Sequence, residues 1–432
     1  MDTVGFVAVL LCVLAAASIS RRIKNTMLTL PMIYTVLGLL IGNRFLGLIE
    51  LGLDDELIRV VAELTLVLVL ATDASRIDLR MLVRDHSLPL RLLGIGLPLT
   101  MILGTIVATA MFGTLGLWGA AILAVVLTPT DASLGQAVVT NPRVPVRIRQ
   151  TLNIESGLND GIAMPFLLLA IALALASEPP VPGDLGDWLL FAGGQIVFGI
   201  AAGLVVGFLG AKFIERGQGI GWMTSEFQKI SALVLPLLAY GLAELIGGNG
   251  FIAAFVMGAT AGNISKTERS KILVEYVEVE VELLMLLTFM IFGMVMLPLA
   301  LDQVSGQIVL YAILSLTLIR MVPVALSLIG TKVKPVTVLF LGWFGPRGVA
   351  SILYIFTVLD AEELTGLPII YTAAMITVLF SIFAHGLTAA PLANLYGKRM
   401  ANEEAVKPDA SEKAEVPEMP LRVQSKKLTP RS

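Results

Sequence analysis

From Val4 to Leu395 the chain is a succession of long apolar runs separated by short polar stretches. A helix needs about 20 apolar residues to cross bilayer hydrocarbon, and backbone groups in lipid must be satisfied within the segment. The runs therefore predict transmembrane helices and are far too long for barrel strands. Thirteen spans follow, at roughly 4–20, 27–43, 57–73, 89–112, 116–139, 153–176, 188–211, 229–247, 250–263, 283–300, 306–329, 336–358 and 367–396. The first lacks a basic leader and a clear cleavage site before a soluble segment, so it reads as a span and not as a signal peptide.

Two runs are interrupted. In "LTPTDASLGQ", residues 127–136, Pro129 has no N–H and disfavours helix at Thr128, so the fifth span breaks in mid-membrane. Asp131 is then expected near the start of the second half-helix, where the positive dipole end favours an anion. The twelfth span breaks at Gly345, Pro346 and Gly348 of "GWFGPRGVAS", and Arg347 supplies positive charge there. With the seventh span as a linker, the breaks fall in the fifth member of each six-span half. That placement is the sequence pointer to an inverted-repeat secondary transporter. Gly199, Gly203 and Gly207 in the seventh span form a small-residue face suited to close helix packing.

Composition agrees with the pattern. Of 432 residues, 56% are hydrophobic and 15% charged, whereas soluble domains carry about 25% charged residues. The single cysteine, Cys12, excludes an intrachain disulfide and a cysteine-based metal site. His86 and His385, both near predicted helix ends, read as interfacial residues and not as ligands. Basic residues cluster at every second loop: Arg21, Arg22 and Lys24; Arg76, Arg80, Arg84 and Arg91; Arg143, Arg147 and Arg149; Lys212, Arg216 and Lys229; Lys266, Arg269 and Lys271; Lys332 and Lys334; Lys398 and Arg399. The other loops hold only Arg44 and Arg59, with Asp54, Asp55, Glu178, Asp184, Asp302, Asp360, Glu362 and Glu363. This bias predicts the N-terminus outside and the C-terminus in the cytoplasm. From about Ala401 the chain becomes rich in Glu, Lys, Pro and Ser, which predicts a disordered tail over 401–432.

Few ionisable groups remain inside the spans: Glu63, Asp131, Glu155, Asp160, Glu244, Arg320 and Arg347. Each is expensive in lipid and is a functional candidate. Glu244, near an outer helix end, reads as a solvated carboxylate. Glu63 lies deeper without polar company and fits either a working or a bystander role. In "TLNIESGLNDGIAMPF" Glu155 and Asn159 are four apart, as are Ser156 and Asp160, so each pair shares a face. Gly157 and Gly161 are expected to bring another backbone close. Oxygen ligands beside a close backbone can replace the water of a hard monovalent cation. Arg320 cannot be neutralised and needs a carboxylate, for which Glu155 is the expected partner. Asp160 is then left to titrate.

Together "TPTDA", "ESGLNDG", Arg320 and "GPRG" resemble the NhaP-type sodium/proton antiporters of the monovalent cation–proton antiporter superfamily, over about residues 4–398. The resemblance implies an all-α protein of thirteen helices with two crossing discontinuous helices. It also implies a homodimer with a dimerisation part (about 1–85 and 225–300), a linker helix (about 188–211) and a core part (about 87–176 and 305–397) that moves like an elevator. Residue by residue, it implies Asp160 as the ion- and proton-binding carboxylate beside Asn159. Ser156 and the Thr130 backbone become nearby ligands for Na⁺, Asp131 and Arg347 compensate charge at the crossing, and Glu155 pairs with Arg320. An Asn-Asp pair implies electroneutral exchange.

The expected activity is exchange of Na⁺, or of Li⁺ or K⁺, for H⁺ in a prokaryotic inner membrane, with no enzymatic step, no bound cofactor and no nucleic-acid partner. No phosphate-binding GxxxxGK[ST] loop is present. An intramembrane protease is disfavoured because Ser156 lies in no Gly-x-Ser-Gly and neither histidine begins an HExxH. An organic-anion symporter on the same scaffold would need uncompensated positive charge at the crossing, and a channel fits poorly with alternating access.

Overall fold

The computed structural model describes residues 3–23, 26–85, 87–131, 133–177, 185–264, 268–404, 412, 416, 418 and 419. Lys24, His86, Glu178, Asp184, Lys266 and most of the tail lie outside the described residues. Those described form helices and their connections, with a single β-bridge between Gly42 and Ile49.

The apolar runs become α1 (Thr3–Ile23), α2 (Leu30–Ile41), α3 (Glu56–Ser75) and α4 (Ser87–Met111). After them come α5a (Gly116–Val126), the short α5b (Gln136–Val139), α6 (Val146–Leu175) and α7 (Leu185–Gly219). The second half holds α8 (Ser225–Leu245), α9 (Gly250–Ile264), α10 (Val277–Leu301, entered from Glu268) and α11 (Gly306–Ser327). It ends with α12a (Pro335–Trp343), α12b (Val349–Leu359) and α13 (Leu367–Glu404). Eight of these helices are long and apolar enough to cross a membrane, and four more are shorter and apolar. The chain is a multi-pass membrane protein.

Burial identifies the centre. Only 11% of the apolar window of α1 is buried, against 72% for α6. Val4, Leu10 and Leu14 of α1, Phe208 and Phe213 of α7 and Phe227 of α8 are exposed, as side chains solvated by lipid should be. Helices α2, α3, α8, α9 and α10 pack largely on one another, and α4, α5a, α6, α11, α12a, α12b and α13 form a second group. Helix α7 touches α8 and α9 on one side and α6 on the other. Its glycines make that contact close: a Cβ on Gly199, Gly203 or Gly207 would lie 2.7, 2.5 or 2.8 Å from the carbonyl oxygens of Asn249, Ala253 and Met257.

The charged loops pair at the ends of the bundle. Arg44 meets Asp302 at 2.6 Å and Arg59 meets Asp360 at 2.5 Å, so the two expected outer cations each find an expected outer acid. Elsewhere Arg76 reaches Glu278 at 3.1 Å. One expectation is corrected at the C-terminus. Helix α13 runs on to Glu404 and not to 396. Of the tail beyond α13, the described Glu412 and Met419 are 1% and 3% exposed. A composition poor in aromatics signals only that a segment cannot build its own core. It does not prevent single side chains from docking on a core that already exists.

Overpacking the α7–α9 seam should be costly. Gly203→Leu is expected to lower the thermal midpoint in detergent, with a penalty of about 1–3 kcal/mol or more. Gly193→Ala, on the same helix with nothing within 4 Å of the added Cβ, should hold or raise it. Equal midpoints for the two variants would show that the seam does not depend on these glycines.

Candidate ion site at the helix crossing

A helix broken inside a membrane exposes unpaired carbonyls at one end and unpaired N–H groups at the other, with no water to receive them. Helix α5a ends at Val126 and α12a at Trp343. The two breaks meet directly, the Asp131 N–H donating to the Pro346 carbonyl at 2.8 Å. The charged side chains then cap each other's helices. Arg347, fully buried, donates to the carbonyls of Thr128 (2.5 Å) and Pro129 (3.2 Å) beyond the C-terminal end of α5a. Asp131 accepts the Val349 N–H at the N-terminus of α12b at 3.0 Å and the Ser133 N–H at 2.8 Å. Each charge sits at the dipole end that favours it.

Asp131 thus caps the partner half-helix and not its own, which the sequence reading had expected. The segment after it stays irregular until the four-residue α5b, so the nearest well-formed helix N-terminus is that of α12b. The glycines of "GPRG" follow from the same geometry. A Cβ on Gly348 would lie 2.2 Å from Asp131 Oδ2, and one on Gly345 2.4 Å from Arg320 Nε.

Helix α13 splints the second break. Ser381 Oγ accepts the Arg347 N–H at 2.6 Å and lies 3.1 Å from His385 Nδ1. His385 Nε2 is 2.9 Å from the carbonyl of Trp343, the last residue of α12a. A carbonyl only accepts, so in this contact Nε2 donates, while Nδ1 lies 3.1 Å from both the hydroxyl and the carbonyl of Ser381. The expectation that His385 is interfacial is therefore wrong: it is fully buried. Because α13 continues past 396, His385 falls well inside the helix. Its i, i+4 spacing from Ser381 was the available signal.

Glu155 of α6 and Arg320 of α11 form a bidentate pair, 2.6 Å between Oε1 and Nη1 and 2.8 Å between Oε2 and Nη2, with both residues 2% exposed. One turn further, Asn159 Nδ2 donates to Thr130 Oγ1 at 2.7 Å. Thr130 thus meets Asn159 through its hydroxyl, a contact separate from the one expected between its backbone and the ion. Asn159 Oδ1 is buried and receives no hydrogen bond among the described residues. Ser156 donates to the Asn153 carbonyl at 3.2 Å and, with Thr130, Asp131, Phe344 and Pro346, lines a cavity of about 10 Å³. Asp160 is 7% exposed, and its carbonyl accepts the hydroxyl of Tyr354 from α12b. Tyr354 gave no sequence signal because a tyrosine in an apolar run is ordinary.

The glycines of α6 differ from expectation. A Cβ on Gly157 would lie an ordinary 3.6 Å from the Asp73 carbonyl oxygen, and Gly161 makes room for the ring of Phe255, not for a backbone. Thr130 and Ser156 share the small cavity at the crossing, Asn159 bonds to Thr130, and Asp160 follows it on α6 with its carbonyl held by Tyr354.

Two larger cavities lie between the helix groups. One of about 500 Å³ is lined by Arg76, Ser133, Gln136, Arg149, Glu278 and Glu282. The other, about 470 Å³, is lined by Arg59, Glu63, Trp188, Tyr240, Glu244 and Asp360. Glu63 and Glu244, both exposed, face the second cavity and take no part in the crossing. The first includes residues of the loops expected inside, Arg76 and Arg149, and the second residues of the loops expected outside, Arg59 and Asp360.

Removing one partner of the Glu155–Arg320 pair strands the other charge, at roughly 3–5 kcal/mol. Glu155→Ala and Arg320→Ala should each melt earlier than the unaltered protein in detergent, and the double variant should recover part of the loss. Two single variants that melt normally would mean that the pair bears no structural load.

The site can be set beside known proteins. The sequence pattern of the family described as "Sodium/hydrogen exchanger, transmembrane" matches residues 7–395. A probable Na⁺/H⁺ antiporter of Schizosaccharomyces pombe is 31% identical over 284 residues, 61% of this chain and 36% of its own length. The K⁺/H⁺ antiporter NhaP of Alkalimonas amylolytica is 24% identical over 411 residues, covering 91% of this chain and 67% of the relative. The chain thus spans little more than a third of the first relative and about two thirds of the second. The sodium proton antiporter MjNhaP1 of Methanocaldococcus jannaschii superposes with a TM-score of 0.74 at 20% identity, over 93% of this chain and 99% of that one. At that identity the likeness establishes the fold: all-α, with two discontinuous helices crossing. Because the family pattern runs through nearly every helix, both breaks and the "ESGLNDG" segment, the chain belongs to the sodium/hydrogen exchanger family.

Proposed function

We propose that this protein is a secondary active transporter exchanging Na⁺ for H⁺, with cation and proton competing for Asp160. The observation that carries the reading is the Asn159–Thr130 hydrogen bond beside Asp160. It ties the only carboxylate of α6 not committed to Arg320 to a crossing whose own charges already cap helices. A dehydrated cation needs several oxygens, and Thr130, Ser156, Asn159 and Asp160 supply them. The printed names of the relatives support the ion class.

K⁺ is the second reading, favoured by the name of the Alkalimonas relative, and Li⁺ is accepted on the same chemistry. The protein works as a homodimer in a prokaryotic inner membrane, N-terminus outside. The group containing α2, α3, α8, α9 and α10 is the dimerisation part, and the group containing α6 and the broken helices is the moving core. The two cavities on opposite sides of the seam support alternating access. No enzymatic step and no cofactor enter this cycle, because the ion gradients supply the free energy.

Asp160→Asn should abolish sodium-driven proton movement in proteoliposomes while leaving the melting curve near normal. Substantial exchange by that variant would remove Asp160 from the mechanism. One carboxylate exchanging one cation for one proton moves no net charge. An imposed potential should therefore leave the ΔpH null point unchanged at a fixed sodium gradient. An uncompensated charge is worth about 2.3 kcal/mol per 100 mV, roughly a fifty-fold shift in the exchange equilibrium. A null point that follows voltage would mean that a second carboxylate titrates in the cycle.

A further inference from the structure

The described part of the C-terminal tail is bound at two helix starts. Glu412 Oε1 accepts the Lys334 N–H at 2.7 Å and the Thr337 hydroxyl at 3.0 Å. Thr337 Oγ1 is also 2.9 Å from the hydroxyl of Tyr396 on α13. Lys334 is the N-cap residue of α12a and its own side chain caps nothing. Glu412 therefore delivers, from far along the chain, the N-terminal cap that α12a lacks, as an anion at the positive dipole end.

Met419 makes the second attachment. Its N–H donates to Gln150 Oε1 at 3.1 Å, and its carbonyl accepts from Gln150 Nε2 at 3.2 Å. Gln150 is fully buried, so this two-way amide pair answers both of its polar groups. Glu418 lies 3.6 Å from Arg149, a residue that also lines the expected cytoplasmic cavity. Gln150 belongs to α6, the helix that carries Glu155, Asn159 and Asp160. Helix α12a leads into the Gly345–Pro346–Arg347 break. Helix α6 packs on α5a, α7 and α3, whereas α12a packs on α11, and the tail reaches both.

We propose that Glu412 and Met419 are positioning residues: they strap the cytoplasmic start of α6 to that of α12a, fixing the axial register of the Asn159–Asp160 pair against the helix crossing. Three features support this over a brake on transport. Among the described residues, the partners that Glu412, Glu418 and Met419 meet through hydrogen bonds or ion pairs, Arg149, Gln150, Lys334 and Thr337, lie in the group holding the crossing. A brake on motion between the two groups would have to grip both. The attachment also pairs both polar groups of the buried Gln150 side chain and buries Glu412 and Met419 themselves, so it behaves as part of the folded core. Finally, the strap meets α6 at Gln150, on the same continuous helix as Asn159 and about two and a half turns before it. The inference rests on the antiport reading for its consequence, though not for its geometry.

The test uses the full chain in proteoliposomes. Glu412→Ala is expected to raise the half-saturating Na⁺ concentration about five-fold. Glu412→Gln keeps an acceptor at the same place and should restore it. Gln150→Ala, which releases Met419, should shift it in the same direction. A purely structural contribution would reduce the amount of active protein, and hence the maximal rate, while leaving half-saturation alone. Amide hydrogen exchange at Lys334 should quicken in Glu412→Ala and stay slow in Glu412→Gln. Unchanged half-saturation in both Glu412→Ala and Gln150→Ala would overturn the proposal, as would a higher maximal rate at constant half-saturation, the mark of a brake. If Glu412→Ala fails to fold, Gln150→Ala gives the same decision. Absence of sodium-driven proton movement in the unaltered protein would count against the antiport reading instead, and Lys334 exchange would still judge the strap.

Discussion

Everything at the centre of this protein depends on satisfying the ends of two helices broken where there is no water. An interrupted helix in lipid would leave several backbone groups unpaired, each at a penalty of several kcal/mol. The solution is reciprocal. Arg347 from one break receives the carbonyls of the other, and Asp131 from the other break caps the first at Val349. Neither charge could be buried alone, and neither break could exist alone. The requirement reaches outward to Gly345 and Gly348, where any side chain would strike Arg320 or Asp131, and to Ser381 and His385 on α13, which hold the free ends of the second break.

That arrangement also sorts the carboxylates. Asp131 is committed to a helix end and Glu155 to a bidentate contact with Arg320. Both have a structural partner whose loss would strand a charge. Asp160 sits one turn beyond Glu155 on the same helix, beside an asparagine that is itself anchored to the crossing through Thr130. On the proposed reading, the opposed demands of stability and ion exchange fall to different residues of the same helix. A carboxylate locked to arginine could not release it at every turn of a cycle, and a carboxylate that must exchange its ligand cannot also hold two helices together.

The tail extends the same logic to the cytoplasmic end. Helix α12a is nine residues long, too short to be held by its own ladder of hydrogen bonds, and its start lies far from the contacts that fix its other end. A carboxylate arriving from beyond α13 caps it, and the same segment grips α6 through Gln150. Short half-helices need support at both ends, and here the support at the crossing and the support at the surface come from different parts of the chain.

The sequence by itself determined the helices, because apolar length and backbone satisfaction in lipid leave no other spanning structure. It also determined where two of them break, since Pro129 and the Gly345–Pro346 pair act locally, and it reduced the buried ionisable groups to a short set. The Glu155–Arg320 pairing was legible because a buried guanidinium must find an acid and few were on offer. What only the tertiary structure decided were the relations between elements distant in sequence. Asp131 caps a helix more than two hundred residues away, Thr130 binds Asn159 by its hydroxyl, His385 lies at the heart of the fold, and Glu412 closes a helix start that precedes it by 78 residues. Each of these depends on which helix end lies nearest in space, and hydrophobic periodicity contains no information about that. A polar residue's type states what it needs, and only the fold supplies the neighbour that meets the need.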